Sequence, residues 1–397
     1  MAISRPRRQH RRPQLDIDLS SRESLRNPQQ TYRAIREAGS VVWLPRHRVW
    51  AMGRFADVRS TLKDDQRYSS SNISLNPILN PLARQGTLAS DGEAHTRRRK
   101  VLMHSLAAKA LVDAEPIIDR TADAVVEDLL TRPSFDGVKD FAARLPVSVV
   151  ADLVGIPVTS DQLLRWGRDI FDSNAGIRNV RGWKTSLRSF SVFVYTARLR
   201  RSQMQSNGWA ASVLDAADRG EIGPIEARNL IMDFAIPSLD TTLLATAEML
   251  WSLGRQPEAW QALRRQPELV PAAVMESVRL ASPVRFFVRT VTEDHDIDGV
   301  ALHAGDRIAT IFASANMDDA QFPEPERFSL ERRGSHVGWG FGAHACVGMH
   351  LSRIEMTALL RAMLPRVEHI EVSGAQRLLN NGLQGHSRFR AAFRPVS

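Results

Sequence analysis

The chain has 397 residues, 43% of them hydrophobic and 24% charged, which suits a folded protein with a sizeable core. Its single cysteine excludes an internal disulfide framework. No uninterrupted apolar run reaches the roughly 20 residues of a membrane span, and no apolar segment follows the basic N-terminus as in a secretory signal, so a reducing cytoplasm without membrane attachment is expected.

The net charge of +9 favours acidic partners. Much of it lies in Arg5, Arg7, Arg8, Arg11 and Arg12, and residues 1–20 read as a solvated, disordered tail. Nucleic-acid binding by that tail has no support elsewhere in the chain. Pro28 to Gly39 then predicts a short helix stopped by glycine. Val41–Leu44 and Val49–Met52, separated by Pro45-Arg46-His47-Arg48, predict a strand pair. Ser69 to Ala94 carries Asn, Pro, Gly and Ser without periodicity and predicts a long loop of the functional kind. From Glu93 to about Arg219 the pattern is helical, with breaks near Pro133, Pro146, Pro157 and Gly176. Ile225–Gly254 is the longest helical stretch, interrupted at Pro237, and a further helix covers about Pro267–Leu280. Val284–Thr310 has the Val, Thr, Ile, Asp and Gly of short strands and turns. A loop containing Pro323 and Pro325 leads to Gly338–Gly348, after which Val347–Leu364 is helical. The fold class is therefore mainly α, with small β-sheets near the N-terminus and in the C-terminal third. No repeat or linker divides it, so residues 21–397 read as one domain.

The chemistry concentrates in Trp339-Gly340-Phe341-Gly342-Ala343-His344-Ala345-Cys346-Val347-Gly348. A lone cysteine is ordinarily a small buried apolar residue. This one follows two glycines, which let backbone N–H groups approach a bound group, and precedes a helix whose N-terminal dipole favours thiolate over thiol. Such a sulfur suits a haem iron as a strongly donating axial ligand. The loop resembles the haem-binding signature of the cytochromes P-450 at Gly342, His344, Cys346 and Gly348. It departs at Trp339, where the family normally has phenylalanine.

Three further segments carry the resemblance. Glu276 and Arg279 form an E-x-x-R on one helix face, ordinarily a surface ion pair. Their place about 70 residues before Cys346 resembles the family's structural pair, with Arg327 of Pro325-Glu326-Arg327-Phe328 as the arginine that joins it. His95 and Arg99, spaced i, i+4, otherwise read as a solvated basic helix. The resemblance makes them haem propionate partners, together with Arg289 and His344. Ile236-Pro237-Ser238-Leu239-Asp240-Thr241-Thr242 resembles the oxygen-activating turn. Asp240 and Thr241 there stand as the acid–threonine pair that delivers protons to dioxygen. Pro237 and Ser238 replace the usual small residues, and the proline predicts a kink.

The resemblance implies haem b (iron protoporphyrin IX), with the iron bound through Cys346. It implies a haem-thiolate monooxygenase that inserts one oxygen atom from dioxygen, by hydroxylation or O-demethylation, into a small, aromatic substrate. The 397 residues hold no reductase segment, so electrons are expected from an acidic ferredoxin and its NAD(P)H-dependent reductase, docked by Arg353, Arg97 or Arg98. A peroxide-driven peroxygenase and a haem-binding sensor are the alternatives, and retention of Asp240 and Thr241 argues against the first. The closest-looking branch oxidises small aromatic acids. It is matched at Ser282-Pro283-Val284, Arg289-Thr290, Ser314-Ala315-Asn316 and Asn380-Asn381-Gly382-Leu383 with Gly385. That branch holds the substrate carboxylate with an arginine and a serine where this chain has Met232 and Asp233. Asp233, roughly 10–12 Å along the helix from Thr241, would repel a carboxylate and welcome an amine, whereas Arg84 and Arg285 would attract a carboxylate. Phe286, Phe287 and Leu383 are candidate apolar walls.

Overall fold

A computed structural model of the chain describes residues 13–175 and 179–396. Helices α1 (Arg22–Arg26) and α2 (Pro28–Ala38) precede strands β1 (Val42–Leu44) and β2 (Val49–Met52). Pro28 opens α2 at a position whose N–H a helix leaves unbonded in any case. Helix α3 (Phe55–Lys63), strand β3 (Tyr68–Ser69) and a short α4 (Leu79–Ala83) lead to α5 (Gly92–Leu106). Next come α6 (Ala108–Leu111), α7 (Glu115–Leu130), β4 (Phe135–Asp136), α8 (Arg144–Val154), α9 (Ser160–Asp172), α10 (Val180–Arg198) and α11 (Trp209–Asp218). The longest helical stretch divides into α12 (Pro224–Ala235) and α13 (Pro237–Arg255), followed by α14 (Pro257–Arg265) and α15 (Val270–Ala281). Strands β5 (Phe287–Val291), β6 (His295–Ile297), β7 (Val300–Leu302) and β8 (Arg307–Thr310) lead through α16 (Phe312–Ala315) to α17 (Met349–Met363). A long hairpin, β9 (Val367–Arg377) and β10 (His386–Pro395), ends the described chain.

The sheets are small. The largest runs β1-β2-β8-β5-β3, with β2 and β8 parallel and the other pairs antiparallel. The β9–β10 hairpin, which β4 extends to three strands, lies beyond Leu364, where the sequence predicts no helix or strand. The main core is helical: α13 lies among α8, α9, α15 and α17, burying side chains such as Leu243, Leu250, Leu359 and Phe141. Each fully buried side chain of this size contributes roughly 1.5–3 kcal/mol. The Pro224–Arg255 stretch is long and apolar enough to cross a membrane, yet 78% of its apolar window is buried inside the protein, as befits a central core helix.

Several expectations change. The expected tail packs from Pro13 onward: Leu15 and Trp43 exchange a backbone bond at 3.0 Å and Leu19 is buried. The five arginines from Arg5 to Arg12 lie outside the described residues, as does the break at Gly176. Pro146 does not break the helix, because it occupies the first turn of α8, where no intrahelical N–H is needed. Gly155, at φ +69°, ends α8 instead.

Candidate active site

The cysteine loop is shaped from both sides. Gly342 has φ +69°, and an added Cβ would lie 2.3 Å from the Leu62 carbonyl of α3, so glycine is required. The Cys346 N–H donates to the Trp339 carbonyl at 2.7 Å. Helix α17 begins three residues later, and the N–H groups of Gly348 and Met349 bond towards the sulfur. Burial nevertheless outweighs these donors and the nearby Arg99, and holds the thiol above its ordinary pKa. In this pocket the anion needs a further positive charge against it, which a metal ion supplies.

Cys346 opens onto a cavity of about 1380 Å³, partly open to solvent. His95 and Arg99 from α5, Arg289 from β5 and His344 from the loop line it together. The His95 and His344 rings lie 4.1 Å apart, and Nε2 of each lacks a hydrogen-bond partner. His344 Nε2 is 3.8 Å from Asp91 Oδ1, within ion-pair reach but too far for a hydrogen bond. Burial pushes His95 down to about 4 and Arg289 down to about 10. The Arg289 guanidinium donates only to the Val288 carbonyl at 3.1 Å, and no carboxylate is bonded to it or to Arg99 among the described residues. A buried guanidinium, a half-buried one and two orphaned imidazole nitrogens suit an anion. The paired propionates of haem fit them, and the Cys346 sulfur fits its iron.

Helix α13 supplies Ser238, Thr241 and Thr242 to the same cavity. Pro237 has no N–H for the Asp233 carbonyl, and α12 gives way to α13 there. The hydroxyls of this turn bond back along the helix: Ser238 Oγ donates to the Phe234 carbonyl and Thr241 Oγ1 to the Pro237 carbonyl at 2.6 Å. Asp240 turns away from the cavity towards α9. Its Oδ1 lies 3.4 Å from Arg168 Nε, its Oδ2 has no partner, and burial raises its pKa to about 7 against the pull of Arg168. Gly167 makes room for it, since an added Cβ would stand 2.3 Å from Oδ2. The guanidinium of Arg168 is half-exposed, so Asp240 sits between solvent and the Thr241 turn.

The arginine joining the structural pair is Arg332, not Arg327. Arg279 bonds both oxygens of Glu276, at 2.7 and 2.8 Å, and Arg332 Nε adds a bond at 3.0 Å. Arg327 pairs with Glu324 on the surface, because its side chain points outward from the turn. The Arg279–Glu276 pair is tied to the cysteine loop. Arg279 donates to the Asn316 carbonyl at 2.7 Å, and the Asn316 side chain accepts the Val337 N–H at 2.9 Å.

Neither expected carboxylate partner reaches the cavity. Arg285 is buried against Tyr32, Leu19 and Asn381, and Arg84 bonds Ser71 and Asn72. Phe287 lines the cavity, whereas Phe286 and Leu383 are buried in the cores. Arg97 and Arg98 are both engaged by Glu226, at 2.8 and 2.7 Å. Gly167, Arg168 and Arg332 went unrecognised in the sequence. Arg332 alone carried a signal, as a second arginine close behind the matched one.

A family model described as Cytochrome P450 matches residues 197–385. The cytochrome p450 CYP199A2 of Rhodopseudomonas palustris is 32% identical over 382 residues, covering 94% of this chain and 92% of that protein. A steroid C26-monooxygenase of Mycobacterium tuberculosis is 29% identical over 288 residues, covering 71% of this chain and 77% of the relative. The crystal structure of CYP109E1 from Bacillus megaterium, solved with testosterone, shares the fold with a TM-score of 0.83 at 22% identity, covering 94% of this chain and 100% of that one. The chain belongs to the cytochrome P-450 family of haem-thiolate monooxygenases and takes haem b as its cofactor.

Proposed function

We propose that residues 21–397 act as one cytoplasmic monooxygenase domain on a small, aromatic organic substrate, by hydroxylation or O-demethylation, with electrons from a separate ferredoxin and its NAD(P)H-dependent reductase. The convergence of Cys346, Thr241 and four unpaired donors on one cavity carries this reading. Cys346 ligates the iron, and His95, Arg99, Arg289 and His344 hold the propionates. When bound, haem supplies the activation of dioxygen. Thr241 presents its hydroxyl to the cavity and passes a proton from Oγ1. Asp240, with a pKa near neutrality, takes protons from the Arg168 side and returns the hydroxyl to its starting state. Phe171, Phe287, Phe312 and Val284 wall the cavity and suit an aromatic ring while excluding water.

The cysteine loop also offers a face to the electron donor. Arg59 lies 4.5 Å over the Phe341 ring and is exposed, as is Lys63 on the same helix. With Arg353 these form the basic patch for an acidic ferredoxin, in place of the engaged Arg97 and Arg98. The test is turnover of the purified holoenzyme with NADH, ferredoxin and reductase on a panel of neutral methoxybenzenes and alkylbenzenes. Donor-dependent hydroxylated or O-demethylated product is expected. Product formed only with added peroxide would favour the peroxygenase reading. No Soret shift and no product across the panel would remove the aromatic class.

A further inference from the structure

A second chamber of about 920 Å³ adjoins the cysteine cavity. The two share Leu88, Phe171, Asp233, Pro237 and Phe287 on their walls. Asp233 is the only charged side chain lining the outer chamber and the only acid lining the inner one, among the described residues. The remaining outer wall is apolar or carries neutral amides. Asn80 spends both ends of its amide on the Ser74 backbone, Asn174 Oδ1 accepts the Leu75 N–H, Asn229 donates to the Ile225 carbonyl and Ser74 Oγ accepts the Asn76 N–H.

The protein offers Asp233 little. Its Oδ2 accepts the Thr87 N–H at 2.6 Å, and Oδ1 has no bond among the described residues. Gly86 keeps Oδ1 open, since an added Cβ there would stand 3.0 Å away. The nearest guanidinium, Arg98, is committed to Glu226 and to the Arg84 and Gly86 carbonyls. Burial lifts the Asp233 pKa to about 6, against the lowering pull of the Thr87 backbone and side chain and of Arg98.

We propose that Asp233 anchors substrates bearing a protonated basic nitrogen, with the ammonium against Oδ1 and an aromatic ring extending from the outer chamber towards Thr241. Resting on the monooxygenase reading above, this names the substrate class of the same site. A buried carboxylate surrounded by apolar walls gains most from a cation brought in with the ligand, and it repels a carboxylate. Thr241 lies eight positions beyond Asp233, across the break at Pro237, and roughly 12 Å of helical rise accommodates a ring and a short chain. The outer aromatic walls, Phe171, Phe193 and Phe287, add favourable contact for an ammonium-bearing chain.

The test is calorimetric titration of the purified holoenzyme with 3-phenylpropylamine, 3-phenylpropanol and 3-phenylpropanoate, with Soret spectra recorded in parallel. The amine is expected to bind about ten-fold or more tighter than the alcohol, and the carboxylate weakest. Asp233→Asn keeps an acceptor for the Thr87 N–H but removes the charge. It should bring the amine down to the alcohol's affinity while leaving alcohol binding and the ferrous carbonyl spectrum intact. Asp233→Glu should retain the preference. An amine–alcohol ratio unchanged in Asp233→Asn overturns the proposal, as does a carboxylate bound as tightly as the amine. A nitrogen bound directly to iron, marked by a red-shifted Soret band insensitive to Asp233→Asn, overturns it too. If the variant does not fold, equal binding of amine and alcohol by the unmodified enzyme is enough to reject it. Oxidation of neutral aromatics without any amine preference would defeat this inference alone. Amine preference with no aromatic oxidised would defeat the functional reading instead.

Discussion

At the cysteine end of the cavity four donors gather without an anion; in the outer chamber one carboxylate stands without a cation. Both ends set polar or charged groups beside open space with few partners from the protein, and the charges they carry, Arg99 and Arg289 at one end and Asp233 at the other, are opposite in sign. The proposed ligands differ accordingly: a dianion at His95, Arg99, Arg289 and His344, and a cation at Asp233. Glu355 on α17 marks the limit of the rule. Both of its carboxylate oxygens are buried without partners, yet it lines neither chamber. Burial raises its pKa to about 8, so the proton itself does there what a ligand does elsewhere.

The largest effect expected is at Cys346. Cys346→Ala removes the sole thiolate, and the ferrous carbonyl complex should lose the absorption band from which the family takes its name. Persistence of that band would mean that the iron is held elsewhere. Arg289→Leu deletes one unpaired cation from the same end. Haem transfer to apomyoglobin should show retention weakened about ten- to a hundred-fold, with the amine preference of the outer chamber untouched. A loss of amine preference in that variant would show that the two ends are not independent. Thr241→Ala, between the ends, should leave substrate affinity unchanged and cut product per NADH several-fold, with hydrogen peroxide rising in its place. Unchanged coupling would shift attention to Ser238, which lines the same turn.

A last effect, read only as a difference in melting temperature, sharpens the comparison through its control. A carboxyl whose folded pKa is raised from 4.5 to about 8 favours the folded state most at pH below its unfolded value. That contribution is lost as pH rises through 8, by at most about 5 kcal/mol. Melting temperatures at pH 6 and pH 9 should therefore fall less for Glu355→Gln than for the unmodified protein. Equal falls would mean that Glu355 finds a partner.

The helical stretches, the small sheet and the cysteine loop were legible because each writes a local pattern: periodicity, punctuating Gly and Pro, or a dense motif. His95 and Arg99 were legible as a pair four apart, and the structure brings them to the same cavity as Cys346 and Arg289. What escaped depends on contacts between distant segments. Arg285 read as an available cation, yet its guanidinium is used up by Tyr32, Leu19 and Asn381. Arg327 and Arg332 stand five residues apart in one loop, and only the turn's geometry decides which reaches Glu276. Asp240 could be picked out, but its orientation towards Gly167 and Arg168 depends on how α13 packs against α9.

The position of Arg289 has a further consequence. It sits on β5 in the sheet, while His95 and Arg99 belong to the helical body and Cys346 to a loop pressed against α3 at Gly342. The proposed cofactor site thus draws on both the sheet and the helical body, whose cores meet at Val284 and Phe287. A ligand that binds only when both parts are folded stabilises them by one and the same free energy. Bound haem is therefore expected to tie the sheet to the helical body and to stabilise both, so that its removal should lower the melting temperature of the whole chain.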